Sequence, residues 1–177
     1  MKASSDKILP MFSAALEMEA QGKSFYRKAH AECTYASGKE IFKHLMEDED
    51  NHAAKIKALH KAISAGGGWT LARDKNTHAE KDVVRIFRKL AKRHGKAITA
   101  TAGDIEALDT GLELERQSIE FYGNHLKKAT DPAEREFLGA MVAEEKTHHT
   151  VLEDMKFYLT DPASWLLERE RSGLDGG

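Results

Sequence analysis

The chain has 177 residues, 41 % apolar and 32 % charged, which is the length and mixture of one globular domain and sets aside collagenous, disordered and membrane-embedded chains. Its formal charge of -2 gives no global attraction to nucleic acid or to an anionic membrane. A single cysteine, Cys33, excludes an internal disulfide, a cluster held by four cysteines and a zinc ribbon, and is expected to be a small hydrophobe in a reducing, cytoplasmic compartment. With 3 prolines and 7 % aromatics against many Ala, Leu, Glu and Lys, the composition favours helices over sheet.

The first predicted helix spans residues 6–31, with Phe12, Leu16, Glu19 and Tyr26 on one stripe at spacings of three, four and seven. Its apolar start, residues 8–16, is flanked by Asp6, Glu17 and Glu19, so it reads as a helix and not as a signal segment. A second helix is predicted over 37–64, opening on a capping box from Ser37 to Glu40 and stopped by Gly66, Gly67 and Gly68. Residues 62–72 form the longest uncharged stretch, and they fall short of the roughly 20 apolar residues of a membrane span.

Residues 69–103 form a long connection with an amphipathic piece around Val83, Val84, Ile86, Phe87 and Leu90. This piece carries the basic cluster Arg85, Arg88, Lys89, Lys92, Arg93 and Lys96, read as a solvated helix face in preference to a docking surface for an acidic redox partner. The next helix starts near Asp104 and runs to 128. Asp131, Pro132 and Glu134 announce another, and Asp161-Pro162 repeats that signal before a short terminal helix containing Trp165, with a frayed tail from Ser172.

An internal repeat organises these segments. Leu16-Glu17-Met18-Glu19-Ala20-Gln21 with Phe25-Tyr26 matches Leu112-Glu113-Leu114-Glu115-Arg116-Gln117 with Phe121-Tyr122 at a shift of 96 residues. At the same shift Glu40 falls on Glu136, Glu49 on Glu145 and His52 on His148. The expected architecture is all-α: a single domain over 1–177, with helical hairpins at 6–64 and 104–159, a long crossover at 65–103 between the second and third bundle helices, and a short C-terminal helix and tail at 160–177.

Each bundle helix places a glutamate within its apolar stripe. Glu19 lies seven residues from Phe12 and Tyr26, Glu49 from Phe42 and Ile56, Glu115 from Leu108 and Tyr122, and Glu145 from Leu138 and Leu152. Four buried carboxylates demand protons or cations, because each buried ion costs several kcal/mol and like charges repel. His52 and His148, three residues after Glu49 and Glu145, favour cations by adding an imidazole beside each carboxylate. The candidate metal ligands are therefore Glu19, Glu49, His52, Glu115, Glu145 and His148, suited to two divalent ions, iron foremost, with manganese or zinc as substitutes.

Tyr26 and Tyr122 are candidates to hydrogen-bond a ligand carboxylate or to act in redox chemistry, with an amphipathic core tyrosine as the plain alternative. His149 points about 100° away from His148 and is excluded as a ligand. His30, His44, His60, His78, His94 and His125 lack a carboxylate three residues earlier and are expected at the surface; Glu47 and Glu144 lie off the ligand stripe.

With Glu19 and Tyr26, Glu49 and His52, Glu115 and Tyr122, and Glu145 and His148 in place, the chain resembles the rubrerythrin branch of the ferritin-like superfamily over residues 6–159. The resemblance implies a ferritin-like four-helix bundle holding two irons on the six ligands. It also implies oxidative-stress protection by reduction of hydrogen peroxide or dioxygen, making the protein a peroxidase-like oxidoreductase. Two-domain rubrerythrins end in a rubredoxin-like site of paired Cys-x-x-Cys motifs; this sequence lacks them, so an external electron donor such as a rubredoxin-like protein is expected. They also carry a glutamate where this chain has Ser118, a difference that bears on peroxidase proficiency. A homodimer is the expected assembly, with no nucleic acid and no membrane as partner, and the 39-residue span from Gly66 to Asp104 is long enough to cross to a second chain. The alternatives are a ferritin-like ferroxidase or iron store, a di-iron hydroxylase, and a non-enzymatic bundle stapled by metal.

Overall fold

The protein is described from a computed structural model, which covers residues 2–69, 79–94 and 101–174. These residues form six helices: α1 (Lys2–Glu32), α2 (Ala36–Ser64), α3 (Ala79–His94), α4 (Ala102–Lys128), α5 (Pro132–Thr160) and α6 (Pro162–Leu174). Helices α1 and α2 pack as one hairpin and α4 and α5 as the other, and the hairpins meet through α1 against α4 and α2 against α5. The bundle expected from the repeat is thereby formed. No described helix is long and apolar enough to cross a membrane.

The helix ends show which local signals the chain uses. Asp131 caps α5 by accepting from the backbone of Ala133 at 2.8 Å and Glu134 at 3.2 Å, with Pro132 in the first turn, and Asp161 caps α6 through Ser164 at 3.0 Å. The α4 cap is Thr101, not Asp104. Asp104 sits three residues inside and returns the hydrogen bond, its carboxylate accepting from the Thr101 backbone at 2.9 Å. The same carboxylate accepts from the Thr34 hydroxyl at 2.9 Å, tying the α1–α2 loop to the second hairpin.

The capping box expected at Ser37 is absent. The cap position is Tyr35, extended at φ -123 and ψ 142 with no side-chain hydrogen bond, and Ser37 lies buried as the second residue of the helix. Packing of the Tyr35 ring, itself buried, places the chain entry two residues early. At the other end of α2, Gly66 adopts φ 82, and the Gly66 and Gly67 amides bond Ile63 and Ala62 at 3.0 and 2.9 Å. That closure needs a left-handed residue, which explains the glycine. The first helix begins at Lys2, upstream of the expected Asp6, and α6 reaches Leu174, past the expected fraying at Ser172.

The core divides into two apolar regions. Phe12, Ile56, Leu59, Tyr122, Phe137, Leu138 and Met141 fill one end of the bundle. Tyr26, Phe42, Leu45, Leu108, Leu152, Met155 and Tyr158 fill the other, where α3 adds Phe87 and α6 adds Trp165. Each stripe glutamate lies seven residues from one member of each region, so the carboxylates form a polar layer between two apolar plugs. Each fully buried aromatic or aliphatic side chain contributes about 1.5–3 kcal/mol, which is what offsets the cost of that layer.

Helix α3 lies against α5 and α2. Its buried residues Val83, Phe87 and Ala91 recur every four positions, and Phe87 meets Tyr158 and Trp165 edge-on at 5.9 Å each. The buried Asp154 of α5 accepts from Arg88 at 2.7 Å and from Arg169 of α6, pinning both peripheral helices. Arg85, Lys89, Lys92 and Arg93 are exposed, and Lys96 lies outside the described residues.

Candidate metal centre

Glu19 from α1, Glu49 and His52 from α2, Glu115 from α4, and Glu145 and His148 from α5 converge midway along the bundle, each 5 % exposed or less. The three-residue spacing within each Glu-x-x-His puts both side chains on the inward face of one helix. All six residues singled out in the sequence meet at one place.

They are arranged in two lobes. Glu19, Glu49 and His52 offer donor atoms within 4.8 Å of one another, as do Glu49, Glu115, Glu145 and His148. Glu49 belongs to both lobes. Glu145 also faces both, with Oε1 3.4 Å from His52 Nδ1 and Oε2 3.5 Å from His148 Nδ1. His52 Nδ1 lies 3.1 Å from Glu19 Oε2, and His148 Nδ1 lies 3.7 Å from Glu115 Oε1. The two imidazoles stack at 5.6 Å with their planes 23° apart.

The donor set fits a pair of cations. Both oxygens of Glu145, Oε2 of Glu115 and Nδ1 of His148 are buried without a hydrogen-bond partner, although each lies close to other ligand atoms. Two donors on one small divalent ion at bond lengths near 2.1 Å stand about 3 Å apart, close to the spacings seen here. Lone pairs that converge without hydrogen-bond alignment are costly when buried, and a cation would satisfy them together.

Electrostatics without metal tell the same story. Burial, reinforced by Glu19, Glu145 and Glu115, pushes the Glu49 carboxyl well up, and burial together with Glu145 raises Glu115 to about 7. Burial alone would raise Glu145 and depress both histidines. The attraction between them prevails, holding Glu145 well below the usual carboxylate range and both His52 and His148 well above the usual imidazole range. Burial and mutual attraction thus favour protonated Glu49, Glu115, His52 and His148 in the absence of metal, and metal binding would displace those protons.

A surrounding layer orients the ligands across the repeat. The Tyr122 hydroxyl donates to Glu19 Oε1 and the Tyr26 hydroxyl donates to Glu115 Oε1, so each hairpin supplies the tyrosine that holds the other hairpin's glutamate. Burial first, and the neighbouring glutamates second, raise both phenols, which keeps them as donors. On the opposite side His52 Nε2 donates to Glu144, which also accepts from Lys55 at 2.9 Å, and His148 Nε2 lies 3.4 Å from Asp48. Burial would raise Glu144, but His52 and Lys55 lower it to about 2.

Glu144 lies off the ligand stripe, as the sequence indicates, yet it is buried against His52, a contact the sequence reading did not foresee. One residue before a ligand, a side chain points about 100° round the helix. In this bundle that direction faces the neighbouring helix: α5 directs Glu144 at the α2 histidine, and α2 directs Asp48 at the α5 histidine. The missed signal was present, since Asp48 falls on Glu144 at the 96-residue shift.

The other candidates lie away from the cluster. His149 approaches Glu153 at 3.5 Å, Glu47 approaches Lys43 at 3.6 Å, and His30 pairs with the Lys39 carbonyl at 2.8 Å. His44 sits between Glu40 and Glu47, while His60 packs on Phe12 and His125 on Phe121. His78 and the side chain of His94 lie outside the described residues. One further residue shapes the centre: a Cβ on Gly22 would stand 2.9 Å from Glu49 Oε1 and 3.0 Å from its Cδ, so the missing side chain gives that carboxylate its room.

No curated protein and no solved structure matches the chain. The family model described as Rubrerythrin matches residues 11–156, a span that contains all six clustered residues and both tyrosines. The chain belongs to the rubrerythrin family, whose members are ferritin-like di-iron proteins.

Proposed function

We propose that the chain is a di-iron oxidoreductase that reduces hydrogen peroxide or dioxygen, with Glu19, Glu49, His52, Glu115, Glu145 and His148 as ligands. The observation that carries this reading is the two-lobed carboxylate and imidazole cluster whose buried lone pairs lack hydrogen-bond partners. Two bound irons would supply the two electrons that the oxidant takes up, whereas zinc would occupy the same donors without any redox role.

The chain's own residues do the rest. Glu49 and Glu145 lie between the lobes, and together with Glu19, His52, Glu115 and His148 they would hold the ions. Tyr26 and Tyr122 hold Glu115 and Glu19 in place through their hydroxyls, and Asp48 and Glu144 hold the two imidazoles through Nε2. The apolar regions on both sides keep bulk water from the cluster along the bundle axis. An external donor such as a rubredoxin-like protein returns the electrons, and the working unit is a cytoplasmic homodimer.

Loading the metal-free protein with ferrous iron without oxygen, then adding peroxide in portions, tests this function. Retention of about two irons per chain, with continued peroxide consumption when reductant is supplied, is the expected result. Accumulation of tens of irons per chain would make storage the function. Failure to retain iron would leave the six residues as a polar core and refute the proposal.

A further inference from the structure

Among the described residues, five of the directions leading to the centre are closed. Apolar plugs fill both ends of the bundle. The α2–α5 side is occupied by the stacked imidazoles with Asp48, Glu144 and Lys55 behind them, and the flanks are the closely packed α1–α2 and α4–α5 hairpins. The seam between α1 and α4 remains. It holds a recess of about 20 Å³ whose floor is Glu49 and Glu115.

The walls of this recess are related by the 96-residue repeat: Met18 stands opposite Leu114, Gln21 opposite Gln117, and Gly22 opposite Ser118. Gln21 and Gln117 are exposed at the rim, Ser118 is half-buried, and Glu49 and Glu115 are buried below. A volume of this size admits about one water-sized molecule. Its width depends on two small residues, since any side chain on Gly22 would run into Glu49 and a branched chain on Ser118 would fill the same space from the other helix.

We propose that the recess between α1 and α4 is the passage by which small ligands reach the metal pair, and that Gly22 and Ser118 set the largest molecule that passes. This rests on the di-iron reading and adds a size limit to its oxidants: molecules as small as hydrogen peroxide and dioxygen enter, whereas organic hydroperoxides with bulky substituents do not.

The test uses iron-loaded, oxidised protein and azide, whose ferric complex absorbs in the visible, so that entry is read without turnover. Native protein, Ser118→Ala, Ser118→Val and Ser118→Leu are compared for iron content, helicity and rate of azide binding by stopped flow. With iron content unchanged, Ser118→Leu binds azide about tenfold more slowly or worse, Ser118→Val falls between, and Ser118→Ala matches or exceeds the native rate. If Ser118→Leu does not fold, Ser118→Val carries the comparison. A native rate in the bulkiest variant that retains iron overturns the proposal, as does a native protein holding two irons without an azide complex. Oxidation of the reduced protein by cumene hydroperoxide as fast as by hydrogen peroxide overturns the size limit. A protein that binds azide but consumes no peroxide refutes the proposed function while leaving the passage established, and one that holds no iron refutes both.

Discussion

Gly22→Ala separates what the centre needs from what its helix prefers. Alanine is favoured over glycine inside a helix by about 0.8–1 kcal/mol, which for a chain of this size corresponds to about 2–4 °C in melting temperature. The new methyl carbon would stand 2.9 Å from Glu49 Oε1, against the 3.4–4 Å of ordinary contact, so the carboxylate must retreat by about 0.5–1 Å. In metal-free protein that retreat is inexpensive, because it moves only the end of a flexible side chain. With metal bound it is not tolerated, since ligand positions hold to about 0.2 Å. The expected loss is about 10–100-fold in metal affinity, or about 1.4–2.7 kcal/mol. Thermal melts of the metal-free protein and chelator competition on the loaded protein read the two effects separately. Gly22→Ala should melt higher than native without metal and release metal more readily with it. A variant that melts lower without metal, or binds metal as tightly as native, would show that Glu49 is not held against Gly22 as described.

Further outcomes follow from the layer around the ligands and from its protons. Glu144→Gln should weaken metal retention by about 10–100-fold in chelator competition, and Asp48→Asn by less. Glu144 is the more buried of the two and also holds Lys55, whereas Asp48 stands 3.4 Å from His148; equal losses or the reverse order would contradict that difference. The metal-free and loaded proteins should also respond oppositely to pH. Without metal, Glu49, Glu115, His52 and His148 hold protons more tightly folded than unfolded, so the unfolded state binds fewer protons and stability falls as pH rises from about 5 to 8. Glu144 and Glu145 are held low, so stability falls again on acidification below about pH 4. With metal bound the ligands are deprotonated, and stability should rise with pH over the upper window. Melting curves across that range, with and without metal, check the slopes, and slopes of one sign in both states would refute the assignment.

The sequence by itself determined the bundle and its six clustered residues. Helical spacing is local, and a glutamate seven residues from two apolar neighbours shares their face whatever the helix packs against, so Glu19, Glu49, Glu115 and Glu145 were legible along with the histidines three residues after Glu49 and Glu145. The common 96-residue shift then paired the hairpins. Helix starts were legible where a polar side chain makes the cap, as at Asp131, and misplaced where packing sets the entry, as at Tyr35 and Ser37.

Tertiary structure decided what faces a given side of each helix. Glu144 looks like a surface residue along the chain because it lies off the apolar stripe, and only the neighbouring helix turns that direction into a buried contact with His52. The crossed bonds of Tyr26 to Glu115 and Tyr122 to Glu19 likewise join residues 89 and 103 positions apart, and no local pattern shows which hairpin supplies which donor. Gly22 carries no side chain to betray its role; the nearness of Glu49 on another helix gives its absence a meaning. Periodicity states which face of a helix is buried, whereas the identity of the atoms opposite that face depends on how four helices are set against one another.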